Sequence, residues 1–316
     1  MQPFARLILA ALLALAPAAT HAEDLLAPGA HEATVNDVRL WYRVAGAVDG
    51  EPVGFLHGGP GQGSQTFAKF AGPALEKSLR LIYLDQRGSG RSERPTDGAY
   101  SVPLMVEDLE QLRRKWGAQR ISLIGHSFGT VLAMEYAAKY PEHVAKVVLS
   151  GAVVDAPAAL DLQCARLEKT APETYAKAVA RLPAGSPRKC NIFAAPRAFI
   201  DGNMYPDPAT MKLVDDADAE GGLHNTGEVG AALFKQGFLD YRFEHPEGLT
   251  MPVLVIGGAQ DYQAMVEPIR TFVAVAPNAR LIEYEGAGHF MFVEQPDRFA
   301  RDVIEFLRPG AGSPGG

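Results

Sequence analysis

The pentapeptide Gly-His-Ser-Phe-Gly at residues 125–129 lies between an apolar run, residues 120–124, and a helix-like stretch, residues 130–139. Gly-x-Ser-x-Gly between a strand and a helix is the pattern of a nucleophile elbow, a strained turn that lifts the serine hydroxyl above a sheet. Glycine suits the flanking positions because a Cβ there would clash. The alternative is a glycine-bounded turn in which Ser127 is an ordinary helix N-cap. The strand and the helix around the turn favour the elbow, which makes Ser127 the candidate nucleophile.

The order of the chain selects a general base for Ser127. Behind a serine elbow of this kind the acid follows the serine, and the histidine follows the acid. Of the eight histidines, four precede the serine and three more lie before the last two predicted strands. Only His289 remains, in a Gly-Ala-Gly-His loop after the predicted strand at residues 280–284. A single histidine is often structural, but this position favours His289 as the base.

Two aspartates can complete the triad. Asp261 follows the predicted strand at residues 252–256, and Asp155 follows the one at residues 146–150. The carboxyl ends of parallel strands are where α/β folds collect active residues. We predict Asp261 as the acid that orients His289, and Asp155 as the N-cap of the next helix, with the triad role as its alternative.

A glycine-rich loop supplies candidate donors for an oxyanion. The predicted strand at residues 53–56 runs into His-Gly-Gly-Pro-Gly at residues 57–61. We predict the backbone N–H groups of Gly59 and Phe128 as the oxyanion hole, and His57 as a structural residue that holds the loop. Phosphate binding is the alternative for such a loop, but the chain has neither Gly-Lys-Ser/Thr nor Gly-x-Gly-x-x-Gly here.

Two motifs carry a family resemblance: His-Gly-Gly-Pro-Gly at residues 57–61 and Asp-Gln-Arg-Gly-Ser-Gly-Arg-Ser at residues 85–92. Together with the elbow and the predicted acid and base, they resemble the proline iminopeptidase branch of the α/β-hydrolase superfamily. The resemblance covers residues 33–308, with its motifs concentrated in the core. It implies an acyl-enzyme hydrolase that releases an N-terminal residue, often proline, and binds the free amine through carboxylates of a cap.

The elbow departs from that branch. Proline iminopeptidases usually carry Gly-Gly-Ser-Trp-Gly, whereas His126 and Phe128 are closer to the esterases of this fold. The prediction is therefore a serine hydrolase of proline iminopeptidase type, with a carboxylesterase as the alternative. A non-catalytic small-molecule-binding protein on the same fold is a third hypothesis, which an intact triad disfavours.

Alternating strands and helices set the predicted architecture. A hairpin over residues 32–44 and later strand–helix units predict a mostly parallel, twisted sheet with helices on both faces, the α/β-hydrolase fold. The alternation stops near Asp155 and resumes near Met251, which is too long for a loop and predicts an inserted helical cap. The predicted organisation is a signal peptide (1–22), a core (23–154 and 250–308), a cap (155–249) and a disordered tail (309–316).

The cap holds two predicted helical stretches, residues 160–168 and 228–241. We expect Leu233, Phe234, Phe238 and Tyr241 to form mainly cap core, with substrate contact as the alternative. An aminopeptidase would require one of the cap carboxylates above Ser127, since a buried ammonium needs a partner. The candidates are Asp201, Asp207, Asp215, Asp216, Asp218, Glu220, Glu228, Asp240 and Glu244.

Export is predicted from the amino terminus, where Arg6 precedes an apolar run and small residues lead to a cleavage site after Ala22. We expect a periplasmic or secreted protein, with a retained anchor as the alternative. Cys164 and Cys190 are the only cysteines, and they form either a disulfide or two buried thiols.

Composition narrows the partners. A net charge of −7 argues against a nucleic-acid partner, which would require a basic face. The chain lacks the metal-binding spacings of His, Cys and Asp, and the proposed chemistry requires no cofactor. We predict a small-molecule or short-peptide substrate and no membrane association after signal cleavage; the oligomeric state stays open.

Overall fold

The strands form one twisted sheet with a hairpin at its edge. The computed structural model describes residues 24–222 and 227–308, so the predicted signal peptide and tail lie outside the described residues. The eight strands are β1 (Gly29–Val35), β2 (Val38–Gly46), β3 (Pro52–Leu56), β4 (Arg80–Leu84), β5 (Ile121–His126), β6 (Val144–Ser150), β7 (Val253–Gly258) and β8 (Ala279–Tyr284). Their order is β1-β2-β4-β3-β5-β6-β7-β8; β1, β2 and β4 pair antiparallel, and every later pair is parallel. The predicted fold class is confirmed.

Helices cover the sheet and fill the insertion. They are α1 (Gln65–Phe70), α2 (Gly72–Leu75), α3 (Val102–Lys115), α4 (Phe128–Lys139), α5 (Ala156–Thr170), α6 (Pro172–Ala180), α7 (Arg197–Met204), α8 (Pro208–Glu220), α9 (Gly227–Lys235), α10 (Val266–Val275), α11 (Met291–Glu294) and α12 (Pro296–Leu307). Short 3₁₀ turns lie at Pro141–His143, Ile192–Ala194, Phe238–Asp240 and Pro246–Gly248.

The core has two layers because successive strand residues point to opposite faces. Leu123 packs in one cluster with residues of α3, α4 and α10, whereas its neighbour Ile124 packs in the other with α1, α2 and α12. Burial on both faces explains why β5 and β7 are buried at every position. The sheet therefore holds the carboxyl ends of its parallel strands at one fixed edge.

Helices α5–α9, with their connections, lie between β6 and β7; we call this segment the cap. A disulfide joins Cys164 of α5 to Cys190, which precedes the 3₁₀ turn at Ile192–Ala194. Both cysteines are buried in a small apolar cluster separate from the two core layers. Within the described residues, no helix combines the length and the apolar character that a membrane crossing requires.

The predicted helix over residues 228–241 is wrong in its second half. Helix α9 ends at Lys235, and Gly237 adopts a left-handed conformation with φ 85° before the 3₁₀ turn Phe238–Asp240. Glycine populates that region without the steric cost of a Cβ, so the chain leaves the helix there. The break places Phe238 in the 3₁₀ turn rather than on a face of α9.

Candidate active site

Ser127 lies on a strained turn between β5 and α4. Its backbone has φ 52° and ψ −120°, a region that L-residues rarely occupy without support from their surroundings. Its N–H donates to the carbonyl of Ser150 at 3.0 Å, which ties the turn to the end of β6. The side chain makes no capping hydrogen bond to α4, so the N-cap alternative does not hold.

The flanking glycines are required by close backbone approach. A Cβ on Gly129 would lie 2.0 Å from the carbonyl oxygen of Leu56, and one on Gly125 would lie 2.6 Å from the carbonyl oxygen of Gly129. A Cβ on Gly58 would lie 2.9 Å from the Cβ of Ser127, which places the glycine-rich loop directly against the serine. This geometry is that of a nucleophile elbow.

Asp261 and His289 form a buried pair. Asp261 Oδ2 lies 2.8 Å from His289 Nδ1, and each side chain is 2% exposed. The other carboxylate oxygen accepts the backbone N–H groups of Gln263 and Ala264, both at 2.9 Å. With its acceptors so directed, Asp261 holds the Nδ1–H tautomer of His289 and leaves Nε2 to accept a proton.

His126 contacts the same histidine from the elbow. Its Nε2–H donates to the carbonyl of His289 at 3.1 Å, and its side chain is buried. Burial, reinforced by the neighbouring His289 charge, holds the pKa of His126 well below its ordinary value, so the ring is neutral. Sequence reasoning assigned His126 no role, because the bond joins residues 163 positions apart.

The glycine-rich loop lies beside the serine. Gly59 and Phe128 both line the pocket that Ser127 opens into. The N–H of Phe128 belongs to the first turn of α4, where backbone donors have no partner within the helix. The two predicted oxyanion donors are thus brought together at one pocket, as an oxyanion hole requires.

His57 and Gln86 hold this loop through four hydrogen bonds. The side chain of Gln86 accepts the N–H of His57 at 2.9 Å and donates to its carbonyl at 3.0 Å. The backbone N–H of Gln86 donates to His57 Nε2 at 3.0 Å, and His57 Nδ1 lies 2.9 Å from the carbonyl of Gly58. Burial lowers the pKa of His57 to about 4. His57 is therefore neutral and structural in its contacts, as expected.

The second motif, residues 85–92, makes hydrogen bonds to the residues that follow the glycine-rich loop. Asp85 accepts the N–H and hydroxyl of Ser64 at 2.8 and 2.7 Å, and Arg91 Nε at 2.7 Å. Burial opposes ionisation of Asp85, but the hydrogen bond and charge of Arg91 prevail and lower its pKa. The N–H of Gly90 donates to the carbonyl of Gln62 at 3.0 Å. The two motifs therefore act as one backbone scaffold.

An apolar pocket of about 640 Å³, measured with its open mouth, adjoins Ser127. Its wall is formed by the glycine-rich loop, the elbow, α5, the end of α9, two 3₁₀ turns of the cap and the loop after Asp261. The lining residues are Gly59, Pro60, Ser127, Phe128, Val153, Ala156, Ala159, Leu160, Gln163, Phe193, Phe234, Phe238, Leu239, Gln263 and Ala264. Phe234 and Phe238 belong to this wall, whereas Leu233 is buried and Tyr241 donates to Glu135 at 2.9 Å. The expectation that most of these aromatic residues form cap core is wrong, because Phe234 and Phe238 line the pocket.

No carboxylate lines the described wall of this pocket. Asp155 caps α5 by accepting the N–H of Ala158 at 2.8 Å, as predicted, and lies 3.2 Å from Arg242. Among the cap candidates, Asp218 accepts hydrogen bonds from Gln62 and Thr66, and burial raises its pKa. These contacts put Asp218 against the oxyanion loop but outside the pocket wall.

Comparison with known proteins agrees with this geometry. A model of the α/β hydrolase fold matches residues 51–296. The chain belongs to this family. A proline iminopeptidase from Thermoplasma volcanium is 24% identical over 86% of this chain and 94% of its own length. A 2-hydroxymuconate semialdehyde hydrolase from Pseudomonas putida is 30% identical over 73% of this chain and 78% of its own.

A solved structure is similar over nearly the same span. The proline iminopeptidase-related protein from Thermus thermophilus superposes with a TM-score of 0.72 at 26% identity, covering 88% of this chain and 96% of that one. The relatives of this α/β-hydrolase are named as hydrolases of several kinds. The chain is a serine hydrolase, and it resembles the proline iminopeptidases, as predicted.

Proposed function

We propose that this enzyme hydrolyses an ester or amide through an acyl-enzyme on Ser127. The observation that carries the proposal is the buried Asp261–His289 pair, with its 2.8 Å hydrogen bond, which His126 links to the strained elbow of Ser127 through a 3.1 Å bond to the His289 carbonyl. Serine is a weak nucleophile until a base removes its proton, and this arrangement supplies the base.

The reaction follows from the positions of the groups. His289 takes the proton of Ser127 as the hydroxyl oxygen attacks the substrate carbonyl, and Asp261 stabilises the resulting imidazolium. The N–H groups of Gly59 and Phe128 stabilise the negative oxygen of the tetrahedral intermediate. His289 then protonates the leaving group, and water attacks the acyl-enzyme with His289 again as the base. Ser127 is regenerated.

The pocket favours a neutral, apolar acyl group. Four phenylalanines line it, Phe128, Phe193, Phe234 and Phe238, and apart from Ser127 its polar side chains are the uncharged Gln163 and Gln263. A desolvated ammonium without a carboxylate would be costly. These features support a carboxylesterase as our first candidate.

The aminopeptidase of proline iminopeptidase type is the second candidate. It is supported by relatives of that name over most of the chain and by the two backbone motifs. In that case we propose Asp218 as the amine partner, since it contacts Gln62 next to the oxyanion loop.

One kinetic panel separates the two candidates. It compares free and N-blocked prolyl arylamides with p-nitrophenyl esters of short and long acids. The esterase proposal expects the best kcat/KM on neutral esters and equal turnover of free and blocked prolyl substrates. A strong preference for the free amine, reduced about 30-fold or more by Asp218→Asn, would reverse the order, because an ionic hydrogen bond contributes about 2–3 kcal/mol.

We also propose that the enzyme is exported. The predicted signal peptide supports this, and so does the Cys164–Cys190 disulfide, because disulfides persist mainly in oxidising compartments. Amino-terminal sequencing of protein from the periplasm or medium should begin at Glu23. Full-length protein confined to the cytoplasm would contradict export.

A further inference from the structure

The cap contacts both loops that carry the proposed acid and base. The N–H of Tyr262, which follows Asp261, donates to the carbonyl of Asn203 at 2.9 Å. The N–H of His289 donates to the carbonyl of Met204 at 3.0 Å. Asn203 and Met204 are the last two residues of α7, where helix carbonyls have no partner within the helix. Two consecutive carbonyls of one cap helix thus join the loops after β7 and β8.

The contact at His289 is tight on both sides. A Cβ on Gly288 would lie 2.3 Å from Pro206 Cδ and 2.7 Å from the carbonyl oxygen of Met204. From the opposite direction, Glu294 accepts the N–H of Gly288 at 2.8 Å. The backbone before His289 is therefore confined between the cap and α11.

The side chain of Asn203 fixes the end of α7. It is completely buried, with Oδ1 accepting Arg166 Nη1 at 2.7 Å and Nδ2 donating to Gln163 Oε1 at 3.4 Å. Gln163 in turn donates to the carbonyl of Gln263 at 2.8 Å, two residues after Asp261. Arg166 also lies over the ring of Tyr262 at 4.3 Å. A buried amide is costly unless hydrogen-bonded, so these bonds hold Asn203 in one place.

We propose that Asn203 is a positioning residue for the triad: it fixes the two α7 carbonyls that hold the Asp261 and His289 loops at hydrogen-bonding distance. The inference rests on the proposed triad. It assigns the cap a part in the rate of the chemical step, for small and large substrates alike, in addition to forming the pocket wall.

The variant Asn203→Ala tests this role. A displacement of about 1 Å in a catalytic group can lower the rate by about 10²-fold, so kcat should fall about 10- to 100-fold with KM nearly unchanged. The smallest ester should show the same loss, and labelling by a fluorophosphonate should slow by the same factor. Asn203→Asp keeps the acceptor for Arg166 and should recover much of the rate.

The matched control is Thr210→Ala, which truncates another buried polar side chain of the cap. It should leave kcat and the labelling rate at wild-type values. If Asn203→Ala does not fold, Arg166→Met removes the 2.7 Å bond to Asn203 Oδ1 without changing a residue of the pocket wall, and it carries the same expectation. Wild-type kcat and labelling in the folded variant, or a change in KM alone, overturns the inference. Failure of the triad itself would show separately, as activity retained in Ser127→Ala.

Discussion

The side chains at the sheet edge and those on the cap side of the Ser127 pocket differ in burial and in polar contacts. At the sheet edge, the side chains of Asp261 and His289 are each 2% exposed, and they contact each other through Nδ1 and Oδ2. On the cap side, Phe193 and Phe234 are 53% and 42% exposed, and their ring centroids lie 6.0 Å apart. We propose that the sheet edge supplies the catalytic groups and that the cap aromatics select the acyl group. The predictions below test this division, from the largest effect to the smallest.

The largest effect is expected from the triad. Ser127→Ala and His289→Ala should each lower kcat by about 10⁴-fold or more on every substrate, because the members act as a unit. Asp261→Ala should lower it less than either, since it orients the base without exchanging a proton. Steady-state kinetics on folded protein, checked by circular dichroism, measures this.

Asp155→Ala is the matched control for Asp261. It removes an aspartate from the end of the neighbouring strand and costs only a helix cap, about 1 kcal/mol of stability. Its kcat should remain within about twofold of wild type. If Asp261→Ala kept the wild-type kcat while Asp155→Ala lowered it, the assignment of Asp261 as the acid would be refuted.

A smaller and selective effect is expected from the cap. Phe238 packs edge-on against Phe128, with ring centroids 5.3 Å apart, at the pocket wall. Phe238→Ala should raise KM about 10-fold for a long-chain or aromatic ester, because lost apolar contact weakens binding by about 1–2 kcal/mol, and should spare the acetyl ester. Leu213→Ala, an exposed cap position outside the wall, is the control. An equal loss of kcat/KM on both esters would show that Phe238 affects the chemical step rather than binding of the acyl group.

The last prediction concerns stability at low pH, with no expected effect on the division between chemistry and acyl preference. Burial lowers the pKa of His57 from 6.5 to about 4, so between these values the unfolded chain binds a proton that the folded chain excludes. Stability is therefore complete above pH 6.5 and falls as pH drops to about 4. Over that window wild type should lose about 3 kcal/mol more than His57→Gln, at about 1.4 kcal/mol per pKa unit. Denaturant unfolding curves at several pH values measure the difference. An equal loss of unfolding free energy in wild type and His57→Gln would contradict it.

The sheet edge could be predicted from sequence because its signals are local. Glycine spacing marked the elbow, apolar runs marked β5 and β7, and chain order left His289 as the base. Each of these signals lies within a few residues of the feature it predicts. The pairing of Asp261 with His289 was predicted from the order of serine, acid and histidine along the chain.

The cap could not be predicted to the same depth, because its contacts are tertiary. The helix predicted over residues 228–241 rested on the spacing of apolar residues and did not take account of Gly237, next to which the helix ends. The bond from His126 to His289 and those from α7 to both triad loops join distant segments. The apolar periodicity that marked Phe234 and Phe238 is the same for cap core and for a pocket wall.

The most direct test of the account is the site and rate of labelling by a fluorophosphonate, followed by mass spectrometry of the digested protein. The account predicts one label per chain, on the peptide that contains Ser127, with labelling abolished in Ser127→Ala and slowed at least 10³-fold in His289→Ala, as expected when the base is lost. No label on folded wild-type protein, or a label on another residue, would contradict the claim that Ser127 is the nucleophile.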